Sequence, residues 1–193
     1  PMRVLSRDVF EDPSGTVANA AFALGMAHRK LHFNELNLTP LGAVIAAPLP
    51  DTRELFCRNG LKYFARIQAR NIQAAAREIR KQIGILEKAR RGARISSTGK
   101  ILVRELELAA RMAEQSCKFM LWQQSVAQGR NLRAGRMAKA GLIELAKLEK
   151  DFDAFWPKRN KGTTRHCSAF LRWRMSEYRE YISRKPPQTS QMD

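Results

Sequence analysis

The chain is short of cysteine, of long apolar runs and of acid, and each shortage closes off a class of protein. Cys57, Cys117 and Cys167 stand far apart with no Cys-x-x-Cys spacing. An odd number without a framework excludes a disulfide scaffold and points to reduced thiols in a cytoplasmic setting. Cys117 and Cys167 fall within apolar helical stripes, where a free cysteine acts as a small core residue. No apolar run approaches the ~20 residues needed to span a bilayer. The longest, Leu41 to Leu49, is interrupted by Gly42 and ends among prolines, so no membrane partner is expected. Polar and charged residues among the first positions do not read as a signal peptide. Sustained alternation of polar and apolar residues, the mark of strands, is also missing.

Acid is scarce relative to base. Asp and Glu number 18 against 35 Lys and Arg, for a net charge of +17 and a pI near 10.6. Such an excess favours polyanions such as nucleic acid. Yet the cations are spread along every helical stretch and stand among carboxylates, the pattern of a charged solvated face. Few aromatic residues are free to stack on bases. Nucleic-acid association is therefore expected to be weak, indifferent to sequence and gone near physiological salt.

What is present is helical periodicity. At 193 residues the chain suits one domain with a core of its own. The spacing predicts an all-α fold, an antiparallel bundle of about five helices: a lead-in over 1–12, one helical domain over 13–183, and a disordered tail over 184–193. Asp12-Pro13-Ser14-Gly15 opens the first helix, with Asp12 or Ser14 as cap and Pro13 suited to the first turn. That helix is read to His32. Residues 33–50 lose the period and form a long connection, with one short helical turn that packs Val44 and Ile45 inward. A long helix is read from Asp51 to Ala89, broken near Asn59-Gly60, and a fourth from a Thr98 cap to Gly129.

The organising stretch runs from Ala140 to Ile182. Leu142, Leu145, Leu148, Phe152, Phe155 and Trp156 form one apolar face, and Asn131 can cap the helix that carries them. Pro157 stops it. After a basic break, Cys167, Phe170, Leu171, Met175, Tyr178 and Ile182 form a second face. Two helices joined so closely should pack antiparallel and shield Phe152, Trp156, Phe170 and Tyr178.

Three constellations bear on chemistry. His28 and His32 are four apart, the helical spacing of two imidazoles on one metal, but they lack a flanking Glu and a third ligand, so no metal site is assigned. Glu149, Asp151 and Asp153 could suggest paired carboxylates; standing among lysines, they read as surface ion pairs. No phosphate-cradling glycine loop or Gly-x-Ser-x-Gly elbow is present, so neither a self-contained catalytic site nor a cofactor is expected. The densest candidate for contact with an anion or a partner is Lys158, Arg159, Asn160, Lys161 and Arg165. It lies at a helix start near Thr163 and Thr164, with a capped interhelical turn as the plainer reading.

Three stretches carry a resemblance. FDAFWPKRNKGTTRHCSAFLRWRMSEY, Phe152 to Tyr178, is similar to the ending of bacterial proteins related to glycoside hydrolase family 20, where a Trp and an Arg-Asn pair close the penultimate helix. VFEDPSGTVANAAFALGMAHRKLH, from Val9, resembles the Asp-Pro-(Ser/Thr)-Gly helix that follows their catalytic barrel. ELELAARMAEQSCKFMLW, from Glu105, matches their pattern of small and apolar residues. The resemblance extends over most of Val9 to Tyr181. It departs at the break, where Gly162-Thr163-Thr164 replaces the usual proline and glycines. It implies β-N-acetylhexosaminidase-like enzymes with a (β/α)₈ barrel, an Asp-Glu pair, and attack assisted by the substrate's N-acetyl group. This chain would be the helical region after that barrel, without the acid pair. Its partner would be the barrel, as a domain or a separate chain. A basic nucleic-acid-binding protein and a helical protein-interaction module are the alternatives.

Overall fold

The computed structural model describes residues 2–33, 39–47, 64–92, 95–158, 160 and 169–184. Among the described residues every regular element is helical, as the periodicity predicts. The longer helices are α1 (Thr16–Met26), α2 (Pro40–Ala46), α3 (Ala69–Arg91), α4 (Ser97–Ala127), α5 (Asn131–Phe155) and α6 (Ala169–Ser183). The predicted break at Asn59-Gly60 and the predicted tail beyond Arg184 lie outside the described residues. No helix among them is long and apolar enough to cross a membrane.

The chain divides into two compact units. One is Pro1–Ile45 with Arg66–Cys117, the other Ala46–Ala65 with Lys118–Asp193. The chain passes between them at 45/46, 65/66 and 117/118; the last falls inside α4, an unbroken helix, so no linker composition marks it.

In the first unit the lead-in is helical. Met2–Val4 continues as a π-helical turn, Leu5–Val9, and Phe10 is buried with Val17, Ala18, Ala20, Leu86, Ile95 and Val103. The lead-in thus contributes Phe10 to a core, with Leu5 packed against it. Asp12 starts α1 by a route only partly foreseen. Gly15, at φ 71°, is the residue before the helix, and a left-handed backbone there favours glycine. The Asp12 carboxylate accepts the amides of Val17 at 2.8 Å and Ser14 at 3.0 Å, and the Ser14 hydroxyl at 2.5 Å. Burial alone would raise the Asp12 pKa, but these bonds outweigh it and hold the carboxyl below the usual range.

A depressed folded pKa means stability that is present above the unfolded value of ~3.9 and lost as pH falls through the folded one. Asp12→Ala is therefore expected to cost about 1–2 kcal/mol at neutral pH. Its deficit should shrink in urea titrations at acid pH. A deficit that does not change with pH would contradict the ionised cap.

Antiparallel packing follows from the order of contacts. At one end of the α1–α3 pair Val17 and Ala20 share a cluster with Leu86; towards the other, Asn71 Nδ2 donates to the Leu31 carbonyl at 3.4 Å. Between α3 and α4, Arg90 meets Glu107 at 2.7 Å and Arg80 meets Glu114 at 3.7 Å. Glu107 is buried, and its second oxygen takes Arg104 at 2.7 Å. The α4 start is capped by Ser96, whose Oγ accepts the Gly99 amide at 2.9 Å, in place of the predicted Thr98. α2 packs Val44 and Ile45 inward as expected, and Ser116 Oγ donates to the Leu41 carbonyl at 2.7 Å.

The second unit contains α5, α6 and the α4 residues from Lys118 onward. Going down α5 and up α6, Phe152 meets Phe170 (6.3 Å between ring centres), Glu149 meets Arg172 (2.7 Å), and Asn131 meets Tyr181 (3.5 Å). That ladder is the predicted antiparallel pair. Asn131 is the first residue of α5 and makes no cap; its side-chain oxygen accepts the Tyr181 hydroxyl. Lys118 reaches Glu144 at 2.6 Å, and Ser125 Oγ reaches Met137 Sδ at 3.5 Å. Leu145, Leu148, Phe155, Leu171, Met175 and Tyr178 are buried, whereas Phe152, Trp156 and Phe170 are only half-buried. These three rings lie towards one end of the α5–α6 pair, which explains their partial shielding. Trp122 is buried among other rings: its ring centre is 5.0 Å from Phe119, 4.9 Å from Tyr178 and 5.6 Å from Tyr181.

Candidate functional site

Of the five residues singled out in the basic break, two are described. Lys158 is exposed at the end of the 3₁₀ turn Trp156–Lys158. Asn160 is half-buried and donates both its backbone amide (3.0 Å) and its Nδ2 (3.3 Å) to the Trp156 carbonyl. Its amide therefore closes the last turn. Arg159, Lys161 and Arg165 lie outside the described residues, as do Cys57, Cys167, Thr163 and Thr164.

The histidines do not share a helical face. α1 ends at Met26, and Ala27–Leu31 is a 3₁₀ helix with His32 beyond it at φ 48°. In a helix of three residues per turn, positions four apart diverge by roughly 120°. His28 Nδ1 instead lies 2.7 Å from the Gly25 carbonyl. Among the described residues, no group of three or more His, Cys, Asp or Glu is placed to hold a metal ion. Of the acidic trio, Glu149 is paired with Arg172 and Asp153 is exposed, while Asp151 is half-buried and engaged. Cys117 is a buried thiol.

The second unit also holds a charge that the apolar reading of α6 passed over. Arg174 is fully buried. Its Nη2 donates to the Ala47 carbonyl at 2.7 Å, and its Nε lies 3.0 Å from Glu177 Oε2 as an ion pair. The guanidinium sits over the Phe119 ring, 5.2 Å from its centre, where the ring's negative face attracts a cation. Burial pushes the Tyr178 hydroxyl pKa well above its ordinary value, Glu144 and Glu177 add to the shift, and Arg174 opposes it. A signal did exist. Arg174 is three residues after Leu171 and four before Tyr178, so it falls within the α6 apolar stripe. The cluster can hold a helix in register; it presents no reacting group to solvent.

Exposed cations gather on one face of α3 in the first unit and on one face of α5 in the second. Along α3, Arg80, Arg90 and Arg91 have carboxylate partners in Glu114, Glu107 and Glu87. Arg70, Arg77, Lys81 and Lys88 are exposed and have no ion-pair partner among the described residues. On α5, Arg133, Arg136, Lys139, Lys147 and Lys150 are exposed together with Leu132 (87%) and Ile143 (72%).

No family model, no curated protein and no solved structure matches this chain. The physical arrangement therefore has to carry the functional reading. What it offers is two cationic faces, a buried arginine cluster and helix ends closed by Asp12 and Asn160.

Proposed function

We propose that the chain is a non-catalytic helical region of a β-N-acetylhexosaminidase-like glycoside hydrolase related to family 20, working beside a (β/α)₈ barrel. One observation supports this reading above the others. The Trp156–Asn160 segment closes α5 through two bonds to the Trp156 carbonyl, and α6 follows it. That is the task the resemblance gives to the Trp and Asn of this segment. At the other end, the Asp12-Pro13-Ser14-Gly15 stretch caps α1, the helix that the resemblance sets after the barrel. The role is architectural: the helices would cover and brace the barrel, and the barrel would supply the acid pair and the substrate pocket.

Two measurements test the reading. The coding region immediately upstream is expected to encode a barrel with an Asp-Glu pair, in frame or adjacent; an unrelated neighbour would overturn the proposal. The purified chain alone is expected to release no chromophore from an aryl N-acetylglucosaminide above background. Turnover that disappears on replacing Asp151 or Asp153 would reassign those carboxylates as catalytic.

A further inference from the structure

The α3 sequence, ARNIQAAAREIRKQIGILEKARR, contains seven cations and two carboxylates. Successive residues of an α-helix advance 100° and 1.5 Å. Arg70, Arg77, Lys81 and Lys88 therefore fall within about 20° of one line along the helix, over a length of ~27 Å. Glu78 and Glu87 lie roughly 80–100° away from that line, and both are engaged: Glu78 accepts Gln82 Nε2 at 2.7 Å, and Glu87 pairs with Arg91. The line is thus uniformly positive, exposed and without an ion-pair partner among the described residues. The opposite side of the helix is fastened down by Ile72, Ala75, Ile79 and Leu86, all fully buried, so the four cations are carried on a rigid support.

We propose that this face of α3 binds the phosphate backbone of double-stranded nucleic acid, without regard to sequence. A stiff row of cations suits a stiff polyanion whose phosphates wind at high, regular density around a straight axis. A duplex carries one charge per ~1.7 Å of axis and stays straight over ~150 base pairs, so neither side loses much freedom on contact. Single strands are recognised by bases stacked on aromatic rings, and the described α3 has none. Insertion into an anionic membrane surface needs an apolar face beside the basic one. The exposed neighbours of the α3 line are Gln73, Gly84 and Arg91, and the exposed large apolar residues all lie on other elements.

The test is fluorescence anisotropy of the full chain with a labelled duplex of roughly 20 base pairs, longer than the row at ~3.4 Å per pair. Four phosphate contacts predict a slope of log affinity against log salt near −3.6, or about a 100-fold loss between ~50 and ~200 mM. Replacing the row (Arg70→Gln, Arg77→Gln, Lys81→Gln, Lys88→Gln) is expected to lower affinity at ~50 mM salt at least tenfold and to flatten the slope. Glutamine keeps helix propensity close to that of lysine and arginine, and circular dichroism checks the fold. The charge-conserving set (Arg70→Lys, Arg77→Lys, Lys81→Arg, Lys88→Arg) should bind within about threefold of the parent. A matching neutralisation on α5 (Arg133→Gln, Arg136→Gln, Lys139→Gln, Lys147→Gln) should also stay within about threefold. Equal losses from the two neutralised sets would mean that only net charge matters and would overturn the proposal. So would tighter binding to the single strand, to a sulfated polysaccharide or to anionic vesicles than to the duplex.

Discussion

Tyr178→Ala is expected to destabilise the protein by about 3–5 kcal/mol, the range for removing a large buried aromatic side chain. Tyr178 is 1% exposed, and its ring stands edge-on to Trp122 and tilted against Phe119. The missing ring would leave a hole bounded by two other large rings and the α5 backbone, none of which can collapse fully into it. Gly141 makes the fit specific. A Cβ built on Gly141 would stand 2.6 Å from Tyr178 Cζ, so only the bare backbone of glycine lets the ring approach α5. Gly141→Ala alone should therefore cost about 1–3 kcal/mol by overpacking, even though alanine favours helix by up to ~1 kcal/mol. With Tyr178 already alanine, the same change should become neutral or stabilising. That sign reversal is the signature of direct contact. Urea unfolding of the four proteins reads it through the midpoints, and a Tyr178→Ala loss below about 1 kcal/mol would contradict the packing.

Arg174→Ala should be comparably severe, at about 3–5 kcal/mol, because it breaks a buried pair from one side. The Glu177 carboxylate would lose its 3.0 Å partner, the Ala47 carbonyl its 2.7 Å donor, and Phe119 the cation over its face. Lysine should not rescue it. A compact ammonium cannot reach a carbonyl and a carboxylate through separate nitrogens while lying flat on a ring. Replacing both partners, Arg174→Met with Glu177→Leu, should recover much of the loss, since the desolvated carboxylate disappears with its partner. The same unfolding midpoints decide the matter: a double variant no better than Arg174→Ala would show that the pair is not the source of the cost.

Several elements were legible in the sequence for plain physical reasons. The α5 and α6 apolar faces have a period near 3.6, and the described break between them is closed by Pro157 and Asn160, so their antiparallel pairing could be read directly. α4 was harder. Its residues 115, 116, 117, 119, 120 and 122 are all buried, on more than one side, and a helix surrounded in this way loses the one-sided pattern that marks a buried face. Periodicity therefore does not single out Trp122 as a core residue. The histidine pair failed for a local reason: four-residue spacing means one face only if the helix stays α, and residues 27–31 tighten to 3₁₀.

The sequence by itself determined that this protein is helical, basic, capped at Asp12 and stopped at Pro157, because periodicity, charge and capping are properties of neighbours along the chain. Only the tertiary structure decided the division within α4, the burial of Arg174 and the sorting of the cations. Along α3 cations outnumber carboxylates seven to two, and the linear reading spreads that excess over a solvated face. Folding turns Glu78 and Glu87 aside, pairs Arg80, Arg90 and Arg91 with carboxylates, and leaves Arg70, Arg77, Lys81 and Lys88 in one uncompensated row. Charge compensation depends on distances in space, and those are set by helix rotation and by the partner helix, which no one-dimensional pattern contains.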